Sequence, residues 1–282
     1  MFGLVISPSE LASALLGALT LYGVVSFFLR RKSDDSDVNW SPFEAVGVTV
    51  AIFFGTQLVI GLIALLIGAA KGLTADQVNS ILDSSAGWQF AMVLSIESMT
   101  AWLVYVFLKR RKTLLSAIGV VRPQLRDVWY AIGGFFIYFG VYALFIFNII
   151  SHFFPQLDVD QKQELGFNTG TTGPELIFVF LSLVILPPLV EELLVRGFLY
   201  TGLRTKLPII TAAVLTSLAF AAAHLQWGSG NSLLWTAAAD TFTLSLVLIW
   251  LRQKTGSLWP GIGVHFIKNG LAFIALFILK VS

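Results

Sequence analysis

The chain has 282 residues, of which 56% are hydrophobic and only 12% charged, with a formal net charge of +2. A soluble domain carries roughly 25% charged residues, so this composition excludes an ordinary soluble enzyme. Cysteine is absent, which removes disulfides, thiolate metal sites and thiol nucleophiles; Lys and Arg are dispersed between apolar blocks rather than gathered on one face, which excludes nucleic acid as an expected partner.

Taken in chain order, the apolar blocks predict an all-α polytopic transmembrane bundle of about eight helices, each near the length needed to cross about 30 Å of hydrocarbon. The first span runs from about Leu11 to Leu29 and has no basic residues before it, so it reads as a retained span rather than a signal peptide. The second covers about Phe43 to Ala69, the third about Trp88 to Leu108 and the fourth about Val128 to Ile150, with His152 in the loop beyond. That loop carries Asp158, Asp160 and Glu164. The fifth span covers about Leu176 to Leu203, with Pro187 and Pro188 inside it, where a missing backbone donor predicts a bent or broken helix. The sixth covers about Leu207 to Leu225, the seventh about Leu233 to Leu251 and the eighth about Trp259 to Leu279. Residues 1–170 then hold about four spans and residues 171–282 about four more, together one integral membrane domain. Trp40, Trp88, Trp129 and Trp259 fall near span ends, as an aromatic belt requires.

The basic clusters Arg30 to Lys32, Lys109 to Lys112, Arg204 with Lys206, and Arg252 with Lys254 all fall on one side of this eight-span scheme. By the positive-inside rule that side is cytoplasmic, and an even count of spans puts both termini outside.

An ionisable side chain inside a span is costly and marks a functional site by default. The predicted spans hold Glu97, Glu191, Glu192, Arg196, His224, Asp240, His265 and Lys268. Glu192 and Arg196 are four apart and share a helix face, as do His265 and Asn269. Glu191 projects about 100° away from Glu192, so one carboxylate meets the guanidinium while the other faces a different neighbour. At about 1.5 Å per residue from the basic flanks, Glu191 lies about 20 Å deep, His224 about 26 Å, His265 about 16 Å and Asn269 about 22 Å. These depths overlap, so one site near the bilayer midplane is geometrically allowed. A carboxylate and a histidine around a water can generate a nucleophile, and a second histidine with an amide can stabilise an oxyanion. Hydrolysis of an amide bond needs both.

Three runs carry a family resemblance. Glu191-Glu192-Leu193-Leu194-Val195-Arg196-Gly197 resembles the EExxxR(G) motif of the CPBP intramembrane proteases, the group that includes type II CAAX prenyl endopeptidases and bacteriocin-immunity (Abi) proteins. Phe220-Ala221-Ala222-Ala223-His224 resembles its FxxxH motif, and His265-Phe266-Ile267-Lys268-Asn269 its HxxxN motif. The resemblance covers about Pro174 to Leu279, whereas the first four spans fit by hydropathy alone. It implies an intramembrane endopeptidase of glutamic type without a required metal or other cofactor. Glu191 and His224 would activate water, His265 and Asn269 would form the oxyanion hole, and Glu192 with Arg196 would orient Glu191. The implied partners are the lipid bilayer and a membrane-associated peptide or protein substrate, with prenylated CAAX peptides the best-known class. The implied location is a prokaryotic inner membrane.

The residues alone leave other readings open. Glu192 and Arg196 also fit a structural ion pair. Glu97 and Asp240 match no motif and fit interhelical hydrogen bonding or partnership with Lys268, and Phe220 fits packing. Glu191, His224 and His265 could instead ligate zinc in a metalloprotease. A non-catalytic scaffold or immunity factor, or a small transporter with a charge relay, is the reading from another class.

Overall fold

The computed structural model describes residues 38–153, 166–168, 171–225 and 233–280. The expected first span at about Leu11 to Leu29, its basic flank, and the loop residues Asp158, Asp160 and Glu164 lie outside the described residues. No strand occurs among the described residues, and five helices are long and apolar enough to cross a membrane. The protein is therefore an all-α integral membrane protein.

Helix α1 (Pro42–Ala70) begins at a capping box, with the Ser41 hydroxyl accepting from the Glu44 backbone N–H and the Glu44 carboxylate accepting from the Ser41 N–H. A short surface helix α2 (Ala75–Asp83), capped by Thr74 and Gln77, links it to α3 (Ala86–Arg110). No apolar block foreshadows α2; it follows from its caps and from Val78 packing onto α1 at Gly68. Helix α4 (Leu125–Phe153) and helix α5 (Gly173–Arg204) each contain π-helical turns, which in α5 lie at Leu181–Ile185 and Glu192–Leu199, on either side of the proline pair. The α5 helix thus runs on through the proline pair with its turns locally widened, not broken.

Helix α6 (Ile209–Ala223) has only 15 residues, shorter than the span expected there, and ends on His224, whose φ of −100° and ψ of 4° leave the helical region. Its partner α7 (Trp235–Thr255) has 21 residues and packs antiparallel to it, but Thr236, Asp240, Thr241, Thr243 and Ser245 make it too polar to rank among the five. Gly256 stops α7 with a φ of +70°, a conformation that suits a residue without a Cβ. Helix α8 (Trp259–Ile278) starts with Pro260 in its first turn, where the missing N–H costs nothing.

Among the described residues, the two largest apolar cores join helices from different parts of the bundle. Helices α1, α3, α5 and α6 share one, centred on Trp40, Val104, Phe198 and Leu203; α4, α7 and α8 share the other, centred on Tyr138, Leu248 and Val264. The ends that carry the basic flanks gather on one side. Arg111 pairs with Glu44, Arg252 donates to the Ala117 carbonyl, and the Trp259 indole donates to the Val121 carbonyl at 2.7 Å. Two expectations need correction. Trp40 is not part of a belt: it is 4% exposed and stacks on Phe198, because an indole this large fills the gap that Gly202 leaves between α1 and α5. His152 is exposed but lies in the last helical turn of α4, not in a loop.

Candidate active site

The site forms where α5, α6 and α8 meet. The adjacent glutamates of α5 have different surroundings. The Glu192 side chain is 1% exposed and its Oε1 accepts from Arg196 Nη1 at 2.8 Å, one helical turn on. The Glu191 side chain is 29% exposed and turns toward α8, where its Oε2 stands 3.8 Å from His265 Nε2. The other ring nitrogen of His265 stands 3.8 Å from Glu192 Oε1, so the imidazole sits between the two carboxylates. Glu191 Oε2 and His265 Nδ1 have no hydrogen-bond partner among the described residues. A buried polar atom without a partner is costly, and of the two residues it is the partly exposed Glu191 that a molecule entering the site would meet.

Gly261 makes this closeness possible. It lies one turn before His265 on the same face of α8, and a Cβ placed there would come within 2.8 Å of Glu192 Oε2. Any larger residue would push the carboxylate away from α8.

Phe220 organises the remaining parts. Its ring lies 4.1 Å beneath the Arg196 guanidinium, 4.7 Å from the His224 ring centroid and 6.2 Å from that of His265. A guanidinium over an aromatic face is attracted by the ring quadrupole, most strongly where water is excluded. The residue expected only to pack therefore packs against three polar site residues at once. His224 Nδ1 is 2.8 Å from the Phe220 carbonyl oxygen. That oxygen can only accept, so Nδ1 carries the proton and the Nε2 lone pair is available as a base. Asn269, one turn beyond His265, donates from Nδ2 to the Leu183 carbonyl of α5 at 2.8 Å.

The six residues singled out by sequence thus lie at one three-helix junction. The other intramembrane charges fall beside it. Lys268 Nζ is 2.9 Å from Asp240 Oδ2, and the Tyr138 hydroxyl donates to the same carboxylate, joining α8, α7 and α4. Asp240 as a partner of Lys268 was among the expectations; Tyr138 was not, although a half-buried carboxylate in a membrane signals that further donors are near. Glu97 forms no ion pair among the described residues but lies within electrostatic reach of Glu191. Among the described residues, no three His, Asp or Glu side chains stand in an arrangement that could hold a metal ion.

No curated protein and no solved structure matches the chain. One family model does, over residues 173–271, about a third of the chain, and it spans all three motifs and the whole junction just described. That model is described as type II CAAX prenyl endopeptidase Rce1-like, and it is this family that residues 173–271 are similar to.

Proposed function

We propose that residues 171–282 form the catalytic region of an intramembrane endopeptidase of glutamic type, which hydrolyses a peptide bond in a membrane-associated peptide or protein. The observation that carries this reading is the contrast between the two adjacent glutamates: Glu192 is sealed by Arg196, and Glu191 is partly exposed beside His265. Only Glu191 can meet a water.

In the proposed reaction, Glu191 and His224 Nε2 hold a water and take its proton as its oxygen attacks the scissile carbonyl. The carbonyl oxygen becomes an oxyanion that accepts from His265 and from the Asn269 N–H not given to Leu183. The C–N bond then breaks, and the abstracted proton passes to the leaving amine. Glu192 and Arg196 hold the α5 turn that aims Glu191. Phe220 keeps Arg196, His224 and His265 in register. The family description points to a prenylated CAAX-type peptide as the substrate class to test first; a hydrophobic anchor would hold such a peptide at the depth of the site.

The test uses the detergent-purified chain and a farnesylated fluorogenic CAAX-type peptide. Glu191→Gln removes the base with little change in shape, and its kcat should fall by at least about 10³-fold, on the scale of losing a general base. Its thermal unfolding should match that of the wild type. Full activity in this variant sinks the assignment, and activity that disappears on exhaustive chelation and returns with zinc would favour a metalloprotease instead.

A further inference from the structure

The Asn269 side chain is held by a carbonyl that the sequence has deprived of backbone donors. In an α-helix the Leu183 carbonyl accepts from the N–H of residue 187, and in a π turn from that of residue 188. Both positions are proline, which has no N–H. The nearest upstream donor is also committed, because the Leu186 N–H bonds the Leu181 carbonyl across the π turn. The Leu183 oxygen is therefore orphaned in either helical geometry. A half-buried carbonyl at membrane depth has no water to turn to, so it must find a donor in the protein. It finds Asn269 Nδ2 at 2.8 Å, reaching across from α8.

We propose that Pro187 and Pro188 are positioning residues: by emptying the Leu183 carbonyl they create the acceptor that orients the Asn269 carboxamide beside the Glu191–His265 pair. One N–H of the amide is spent on Leu183, which fixes the plane of the group and leaves the second N–H uncommitted by any hydrogen bond among the described residues. The proline pair and Glu191 lie on the same helix three to four residues apart, so one stretch of α5 carries both the acceptor for Asn269 and Glu191 itself. The consequence for catalysis rests on the reading of Asn269 as an oxyanion donor; the structural half does not.

The experiment compares Pro187→Ala, Pro188→Ala and wild type in the full chain. Pro187→Ala restores an N–H aimed at Leu183 in ordinary α geometry, so it competes with Asn269. In protein carrying ¹⁵N-labelled asparagine, the Asn269 side-chain resonances, assigned by their loss in Asn269→Ala, should shift, and their solvent exchange should quicken by about tenfold, the scale of one net hydrogen bond. Pro188→Ala restores an N–H that reaches Leu183 only in π geometry, and its effect should be smaller. With the CAAX-type peptide, Pro187→Ala should lower kcat by about tenfold with KM within about twofold, and should slow Asn269→Ala no further, since a shared interaction is lost only once. Unchanged resonances in Pro187→Ala, or an equal shift in Pro188→Ala, overturn the proposal, as does an additive loss in the double variant. Pro187→Ser restores the same N–H and replaces the first variant should that one not fold. If no peptide is cleaved by wild type, the endopeptidase reading fails, and the resonance comparison still decides the proline inference.

Discussion

Helices α1, α3 and α4 bury 11%, 17% and 12% of their most apolar stretches inside the protein, whereas α5 and α8 each bury 33%. All five are apolar enough to span a bilayer, so hydropathy does not decide which helices go to the middle. Lipid tails are as apolar as leucine, and a greasy helix gains nothing by leaving them. What α5 and α8 carry is a set of charged and amide groups with partners inside the protein: Glu192 with Arg196 within α5, the Leu183 carbonyl with Asn269 between α5 and α8, and Lys268 of α8 with Asp240 of α7. Polarity gathers these helices, and close approach at Gly261 lets them meet.

That contrast can be broken by substitution. The largest effect on folding should come from Arg196→Ala, which leaves the Glu192 carboxylate buried and alone and should cost about 3–5 kcal/mol, read as a fall in the thermal unfolding midpoint in micelles. Replacing both members by Glu192→Leu and Arg196→Met should cost less than the single change; a single variant as stable as the double would remove polar pairing as the cause. Asp240→Asn weakens the Tyr138 and Lys268 contacts and should cost about 1.5–3 kcal/mol, the range for hydrogen bonds to charged groups. The smallest effects test the apolar side of the comparison. Leu248, fully buried against α4 and α8, should lose about 1–3 kcal/mol on conversion to Ala, because in a bilayer only the cavity part of the usual cost remains. Leu58 on α1 is 68% exposed, and Leu58→Ala should stay within about 0.5 kcal/mol of wild type. Equal losses at the two leucines would mean that the lipid-facing helices pack as tightly as the central ones, through contacts of another kind.

The described spans were legible to within a few residues. The second was expected at about Phe43 to Ala69 and is found at Pro42–Ala70; the third was expected at about Trp88 to Leu108 and is found at Ala86–Arg110. A membrane helix must satisfy its own backbone and stay apolar over a fixed thickness, so length and hydropathy locate it. Local pairs were legible too, because Glu192 with Arg196 and Phe220 with His224 follow from the rise of one helical turn. The relations between helices were not. Nothing in the spacing of α5 tells that His265 stands between its two glutamates, or that Tyr138, some hundred residues away in sequence, donates to Asp240. Trp40 misled because an aromatic at a span end and an aromatic filling a gap between helices look alike in one dimension. The proline pair held more information than an interruption of the helix, since counting lost donors picks out Leu183, whose carbonyl has proline at both its α and its π donor position.

The shortness of α6 has a further consequence. Fifteen residues rise about 22 Å, short of the about 30 Å of a typical hydrocarbon core. The Leu234 N–H bonds the Leu225 carbonyl, so the start of α7 lies beside the end of α6 that carries His224. A short element of this kind is accommodated by thinning the lipid beside it. Lipid chain length should thereby alter the surroundings of His224, longer tails covering the end of α6 with hydrocarbon and shorter ones bringing the aqueous boundary nearer to it.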